Sequence, residues 1–595
     1  MIDQLRKIIV KKDLRDLLIL TFFLIFVNIL ELFSITAIPV FLSSIYDQEL
    51  FLNLLSKFKF IEINKFFNLE NNQMIVIGAI LILIIFLLKN IILTAVTYLR
   101  IYVIRNIRQS FRSRVLRSNL KKNYLRFVSK NSAVLLREIN QDCTNAAVVI
   151  FSYTNLFKEA ILLILIFISL GVYDLKTSLI LIIFFSIFVA IFYLGTRKTL
   201  KKNAESIKKS YSNLIKSVNE IYGSIKDITI YNSKEKVSDD FDRIQNELEN
   251  KLLTNQFISS VPRMYLEVIS VASIMFIIIF FVHYNLNSNS SELLFSLSFF
   301  AMFMIRTLPS FTSIAQALTL LRNNKTFFFS VVKNIEEYEK INEGNNNDII
   351  IQKGRKNIEF REKINLKEIS FSYDGNIKII DNLNLQISKT DKIAIMGKSG
   401  SGKSTLMNMI LALIKPNEGK ISIDNYELPK KDNLAEWQNL IGYVSQENYL
   451  LDDTIQENII FSSEKKYNPD YLNKILEIVE IKDFVNALPN KLQTVVGDRG
   501  YMLSAGQKQR INIARAIYRN PQILIFDEGT NSLDIKNENK IFKNIFESFP
   551  NLTLIVVSHK LETIKNCSKF FLIENKKITN LSYEDLVKNQ KKFLN

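Results

Sequence analysis

The stretch Gly397-Lys398-Ser399-Gly400-Ser401-Gly402-Lys403-Ser404-Thr405 decides the reading of the chain's second half. It has the G-x-x-x-x-G-K-S spacing of a phosphate-binding loop. The apolar run before it, 391–396, reads as a buried strand, and the run after it, 405–411, as the start of a helix. Strand, glycine loop and helix form the context this motif requires. Glycines let backbone N–H groups turn inward toward an anion, and the start of a helix adds partial positive charge. In that setting Lys403 reaches the β- and γ-phosphates of a nucleotide, and Ser404 faces Mg²⁺. The simpler alternative is a plain glycine turn between a strand and a helix, so the surrounding sequence has to decide.

With 595 residues the chain is too long for one ordinary domain. Hydrophobic residues make up 48% and mean hydropathy is +0.12, above a typical soluble protein. The excess is concentrated in apolar runs at 17–46, 74–96, 156–172, 178–194, 265–282 and 293–315. Each is close to the roughly 20 residues that cross a bilayer as a helix. The first run is long and lacks a small-residue cleavage site, so it reads as an anchor and not as a signal peptide. Net charge is +18, but the cations cluster beside the apolar runs, which suits a membrane surface better than nucleic acid. The basic head (Arg6, Lys7, Lys11, Lys12, Arg15) and the long basic loops 100–137 and 197–262 alternate with shorter or less basic loops. That bias places both termini and both long loops in the cytoplasm. Cys143, Cys567, His283 and His559 show neither disulfide nor zinc spacing.

The long loops are helical in pattern. They read as extensions of the spans, each turning through a short crosswise segment, near 123–132 and near 221–232. The external loop 47–72 puts Leu50, Phe51, Leu54, Leu55 and Phe58 on one helical face, suited to the outer membrane surface or to packing on the spans. Lys89, Arg263 and Arg306 lie within or at the edge of the apolar runs, where charge usually faces a cavity or a partner. Glu31 and Glu267 are candidate partners, and Arg263 could instead snorkel to the interface. Three cations against two acids lead us to expect a cavity for an anionic group.

Beyond a polar linker, 336–356, strands are expected at 357–360 and 369–373. Tyr373 could stack on a purine or simply cap a strand edge. The strand 441–446 ends in Gln446, and the loop Leu503-Ser504-Ala505-Gly506-Gln507 leads into a helix over 508–518. The buried run 523–528 ends in Asp527 and Glu528, and 554–559 ends in His559. One such carboxylate can hold Mg²⁺ while its neighbour positions or deprotonates the attacking water.

Taken in order, GKSGSGKS, Gln446, LSAGQ, IFDE and His559 resemble the ATP-binding cassette of ABC transporters, over about 357–595. With six apolar runs ahead of it, the chain resembles an exporter-type half-transporter. The expected fold is a membrane all-α six-helix exporter-type transmembrane domain (1–335), a linker (336–356) and an α/β P-loop ABC ATPase domain (357–595). The resemblance implies that Tyr373 stacks on adenine and that Gly397, Ser399, Gly400, Ser401, Gly402, Lys403, Ser404 and Thr405 bind the ATP phosphates. It implies that Ser404, Gln446 and Asp527 serve Mg²⁺, and that Glu528 is the catalytic carboxylate. His559 matches the switch histidine, Gln446 the γ-phosphate lever and Asp534 the D-loop acid. Leu503, Ser504, Ala505, Gly506 and Gln507 match the signature that closes over the partner subunit's ATP, so a homodimer is expected. Two departures stand out: Ala505 replaces the first glycine of the usual signature, and the segment after Asp527 reads DEGTNSLD.

A finer resemblance rests on Val261-Pro262-Arg263-Met264-Tyr265-Leu266-Glu267 and Arg306-Thr307-Leu308-Pro309-Ser310, which look like segments of the bacterial lipid-linked oligosaccharide flippases. It implies a polyprenyl-pyrophosphate-linked glycan as cargo, its pyrophosphate meeting Lys89, Arg263 and Arg306, and a lipid tail meeting the external segment. An exporter of lipids, drugs or peptides is the alternative, and an ATP-gated channel a further one. Glu528 and His559 speak against the channel, since gating alone tolerates their loss.

Overall fold

The computed structural model describes residues 2–46, 71–122, 124–173, 175–284, 290–349, 359–424, 426–428, 434–461, 467–528, 534–558, 561–565 and 567–588. The chain divides into two compact units, Met1–Lys122 with Arg126–Asn345, and Asn123–Leu125 with Asn346–Asn595.

The first unit is helical. Its long helices are α1 Lys11–Tyr46, α2 Asn71–Leu120, α3 Cys143–Tyr173, α4 Leu175–Gly223, α5 Lys234–Tyr284 and α6, which starts at Ser290 and runs to Ile349. Each of the six apolar runs lies inside one of these helices. Helix is the spanning form that satisfies every backbone N–H and C=O within one segment, so a long Leu/Ile/Phe run has no better choice in hydrocarbon. A 50-residue helix such as α2 is about 75 Å long, against about 30 Å of hydrocarbon, so much of it extends past the apolar layer. Among the described residues, three helical stretches are long and apolar enough to cross a membrane: Lys11–Pro39, Ile75–Leu120 and Ser132–Gly171. On α2, Leu83, Leu88 and Ile91 are exposed, as side chains facing lipid would be.

Short helices interrupt the long ones where crosswise segments are expected, at Tyr124–Ser129 and Ile225–Ile230. The external stretch 47–70 lies outside the described residues.

The expected linker differs from what is seen. Helix α6 continues through the polar stretch as far as Ile349. Glu336, Glu337, Tyr338, Glu339 and Lys340 contain no helix breaker, and acidic side chains there find cations on the same unit. Glu337 pairs with Lys122 at 2.8 Å and Arg126 at 2.9 Å, and Glu339 pairs with Arg114. A solvated helix and a linker have the same polar composition, so composition alone does not show how far the helix runs; the two units divide between Asn345 and Asn346, inside the expected 336–356 stretch.

The second unit carries two sheets. β1 Lys363–Phe371, β2 Ile380–Ser388, β4 Glu418–Ile423 and β5 Tyr426–Leu428 form an antiparallel sheet in the order β2-β1-β4-β5. β3 Lys392–Met396, β6 Ile441–Val444, β7 Ile523–Asp527, β8 Thr553–Val557, β9 Lys569–Glu574 and β10 Lys577–Leu581 form the second, ordered β10-β9-β3-β8-β7-β6. It is parallel except for β10 at its edge. Every residue of β7 and β8 is buried, which explains why these strands read as unbroken apolar runs without alternation. The strands expected at 357–360 and 369–373 are represented by one strand, β1, which covers only part of the second range; residues 359–360 are not in a strand, and 357–358 lie outside the described residues. Leu125, which belongs to this unit, packs against the core that includes Trp437 and Leu406.

The topology fixes where chemistry can occur. β3, β8, β7 and β6 are consecutive in the sheet, and the phosphate loop, Ser558, Glu528 and Ser445 follow directly on their carboxyl ends. Ligands of open α/β sheets bind at that edge.

Candidate functional site

The loop after β3 is built from left-handed backbone. Gly397, Gly400 and Gly402 have φ of 153°, 79° and 102°. A Cβ on Gly397 would lie 2.6 Å from the carbonyl oxygen of Ile573 and 2.6 Å from Ser401 Oγ. The loop wraps its own lysine: buried Lys403 donates from Nζ to the carbonyls of Gly397 at 2.8 Å and Lys398 at 3.0 Å. Burial pushes the Lys403 ammonium down from its usual range, and the negative charges of Glu528 and Asp527 partly restore it. Ser401 Oγ is buried without a hydrogen-bond partner, a donor left over for an anion. Helix α7, Lys403–Ile410, begins directly at the loop and turns its free N–H groups toward it. Ser399, Ser404 and Thr405 complete the segment, and Thr405 Oγ1 lies 3.3 Å from the hydroxyl of Tyr373. Tyr373 stands edge-to-face on Phe371 at 5.0 Å with 53% of its surface exposed, so its ring offers a free stacking face.

Gly397→Ala should weaken ATP binding. A non-glycine residue held in such backbone is strained by about 1–3 kcal/mol, which is roughly 5- to 160-fold in affinity. Titration with a fluorescent ATP analogue reads the effect, and wild-type affinity would refute the strain argument.

The two carboxylates occupy different environments. Asp527 closes β7 and is 6% exposed. Burial first, and then the neighbouring Glu528, raise its carboxyl above the usual carboxylate range. Glu528 has φ of 50° although it is not glycine, with its N–H held by Val557 O at 2.9 Å. Strain of this kind is stored where a side chain must be aimed. Gln446 donates from Nε2 to Glu528 Oε2 at 3.0 Å. Tyr443 donates its hydroxyl to Asp527 Oδ2 at 3.3 Å. The sequence reading passed over Tyr443, and the one available signal was a polar-tipped aromatic within a buried strand.

The signature segment is a helix start. Ser504 caps α8, Ala505–Tyr518, in a reciprocal pair with Gln507: Ser504 N–H donates to Gln507 Oε1 at 2.8 Å, and Gln507 N–H to Ser504 Oγ at 3.3 Å. Leu503 is buried beneath it, and Ala505 and Gly506 form the first turn. Asp534 caps α9, Ile535–Ser548, and accepts from Asn537 Nδ2 at 2.6 Å. The hydrogen bonds from Asn537 hold its carboxyl below the usual range. His559 and the stretch 529–533 lie outside the described residues.

The donor set suits Mg²⁺. That ion prefers hard oxygen ligands, and it commonly takes one or two carboxylates with the remainder from phosphates and water. Asp527 and the Ser404 hydroxyl provide such donors. Among the described residues no cluster of three or more His, Cys, Asp or Glu could hold a metal alone.

In the helical unit, Arg306 on α6 pairs with Glu31 on α1 at 2.5 Å, and the Glu31 side chain is 5% exposed. Lys89 lies within electrostatic range of both and sits 4.5 Å over the ring of Phe86. Arg263 is exposed on α5 and makes no ion pair among the described residues. The structure therefore pairs Arg306 with Glu31, one of the expected partners, and leaves Lys89 within electrostatic range of that pair. The sequence reading missed two further polar features. Fully buried Asn28 donates to Lys158 O at 2.7 Å, and Lys158 pairs with Glu159 at 3.4 Å at the start of an apolar run.

Comparison with known proteins agrees with this geometry. Residues 380–531 match the family described as ABC transporter, and residues 17–308 match the ABC transporter transmembrane region. The chain belongs to the ABC transporters. It is 28% identical over 424 residues, 70% of each chain, to the ATP-dependent lipid A-core flippase of Shigella flexneri, and the same holds for that of Escherichia coli (strain K12). It is 41% identical over 234 residues to the Alpha-hemolysin translocation ATP-binding protein HlyB of Escherichia coli O157:H7, a match that covers 38% of this chain and 33% of that one. A solved bacterial Atm1-family ABC exporter with ATP bound superposes with a TM-score of 0.76 over 97% of this chain and 96% of that one, at 16% identity, a likeness of fold. The expected fold, a helical membrane domain with an α/β P-loop cassette, is the one observed. This ABC transporter is an exporter-type half-transporter that couples ATP hydrolysis to transport.

Proposed function

We propose that this ABC transporter works as a homodimer in the inner membrane and flips an amphipathic anionic lipid of the polyprenyl-pyrophosphate-linked oligosaccharide class. The observation that carries the proposal is charge inside apolar helices: Arg306 pairs with the single acid Glu31, and Lys89 lies within electrostatic range of both, which leaves an excess of positive charge. Such charge is unfavourable in hydrocarbon and is retained where a site uses it. A pyrophosphate leaving water needs charge-assisted hydrogen bonds of this kind, and Arg263 would add to them. The likeness of 261–267 and 306–310 to the lipid-linked oligosaccharide flippases supports the glycan class. The second reading is another glycolipid, favoured by the lipid A-core flippases that match 70% of the chain.

In the proposed arrangement six spans leave both termini in the cytoplasm. Tyr373 stacks on adenine. The N–H groups of Gly397–Thr405 and the ammonium of Lys403 bind the phosphates. Ser404, Asp527 and Gln446 would hold Mg²⁺, which would supply neutralisation of phosphate charge when bound. Glu528 aligns a water and takes its proton, while Gln446 and His559 read the γ-phosphate. Leu503, Ser504, Ala505, Gly506 and Gln507 of a second copy cover the nucleotide, with Asp534 beside the seam. Closure of the two cassettes then moves the spans through the crosswise segments.

The test uses proteoliposomes with labelled polyprenyl-pyrophosphate glycan and a neutral glycolipid control. ATP-dependent reorientation of the anionic lipid alone is expected. Lys89→Ala should slow it about 10- to 150-fold, as for loss of a charged hydrogen bond. Equal rates for folded Lys89→Ala and wild type would reject the cationic cavity, and equal rates for both lipids would reject the cargo class.

A further inference from the structure

The end of β6 holds both carboxylates of the ATP site. Tyr443 reaches Asp527, and three residues later Gln446 reaches Glu528. The register explains how. Tyr443 pairs with Ile525, and Asp527 lies two residues further along β7, so the period of two puts all three on one face of the sheet. The step from 443 to 527 is a diagonal between neighbouring strands, about 7–8 Å between backbones, a distance that long aromatic side chains span. Tyrosine combines that reach with a terminal donor. A phenol carries one hydrogen, so it fixes one carboxylate oxygen and leaves the other for a metal.

β6 is also firmly seated. A Cβ on Gly442 would lie 2.6 Å from the carbonyl oxygen of Ala516 on α8, so the strand lies directly against the helix that begins at the signature. The neighbouring strand residues Ile441 and Val444 are buried. A donor mounted there has little freedom to drift from its acceptor. The 3.3 Å separation is long for O–H···O, and hydrogen bonds of this kind tighten once a site is loaded.

We propose that Tyr443 is a positioning residue that orients Asp527 for the metal of the ATP site. The inference rests on the reading of Asp527 as the metal-holding carboxylate. Outer-shell partners of metal-holding groups contribute about 10- to 100-fold in metal affinity, and the long separation places the expectation at the lower end.

The experiment uses full-length protein in lipid nanodiscs with a non-hydrolysable ATP analogue, and follows Mn²⁺ binding by electron paramagnetic resonance. Tyr443→Phe keeps the ring and removes the donor. It should weaken Mn²⁺ binding roughly 10-fold, with nucleotide affinity in EDTA within a factor of about two of wild type. In an Asp527→Asn background, Tyr443→Phe should add nothing further. If Asp527→Asn alone leaves Mn²⁺ affinity unchanged, the underlying assignment fails, and the inference with it. If Asp527→Asn weakens Mn²⁺ binding and Tyr443→Phe does not, the inference alone fails. Equal loss of nucleotide affinity in EDTA would also overturn it, since general damage to the site would then explain the effect.

Discussion

Glu528→Gln should lower ATP turnover about 10²- to 10⁴-fold, the range of general-base catalysis, while ATP stays bound. The amide keeps the shape of the side chain and still offers an oxygen to Gln446 Nε2, so the contact at 3.0 Å survives. The ability to take a proton from water is lost. One negative charge also leaves the neighbourhood of Lys403 and Asp527, where the structure brings all three groups into electrostatic range. Anionic phosphates then meet less repulsion, so affinity should hold or rise. Phosphate release and filter retention of labelled ATP read the two halves of this expectation. Turnover within about threefold of wild type would show that Glu528 is not the base.

The second large effect is on stability. Glu31→Ala strands Arg306 opposite an empty position in the helical unit, where Glu31 is almost fully buried. Removing one partner of a buried ion pair costs about 3–5 kcal/mol, because the remaining charge loses its compensation; Arg306 keeps 28% of its side chain exposed, which puts the expected loss at the lower end. The double variant Glu31→Gln with Arg306→Gln should recover much of that loss, since two neutral amides can still hydrogen-bond and the Arg306 charge is no longer stranded, while Lys89 keeps its contact with the Phe86 ring. Denaturant unfolding of the purified protein in detergent separates the cases. A loss below about 1 kcal/mol for Glu31→Ala would place the pair among weak, solvent-screened contacts. The pair also bears on cargo: a bound phosphate would compete with Glu31 for the Arg306 guanidinium, so the two parts of the account meet at one side chain.

What the sequence made legible was local. The phosphate loop needs consecutive residues between a strand and a helix, so Gly397–Thr405 announces itself, and the structure places β3 and α7 on either side. The apolar runs were legible because hydrocarbon demands continuous helix. Contacts between distant residues were not. Arg306 meets Glu31 across 275 positions and Tyr443 meets Asp527 across 84. The second of these depends on β6 lying beside β7 in a particular register, which no periodicity reports. The end of α6 was misread because Glu337 and Glu339 look like linker residues until their cations on α2 and beyond it are in place. Cargo identity is the least legible property of all, since a few cations in a span are compatible with many anionic lipids.

The central claim is that ATP hydrolysis at Glu528 drives an anionic glycolipid across the membrane. The most direct measurement follows a labelled polyprenyl-pyrophosphate glycan in sealed proteoliposomes that carry either wild type or Glu528→Gln. The account predicts reorientation that starts on ATP addition in wild-type vesicles and stays at the protein-free rate in Glu528→Gln vesicles. Reorientation without ATP, or at the wild-type rate in Glu528→Gln vesicles, would contradict it.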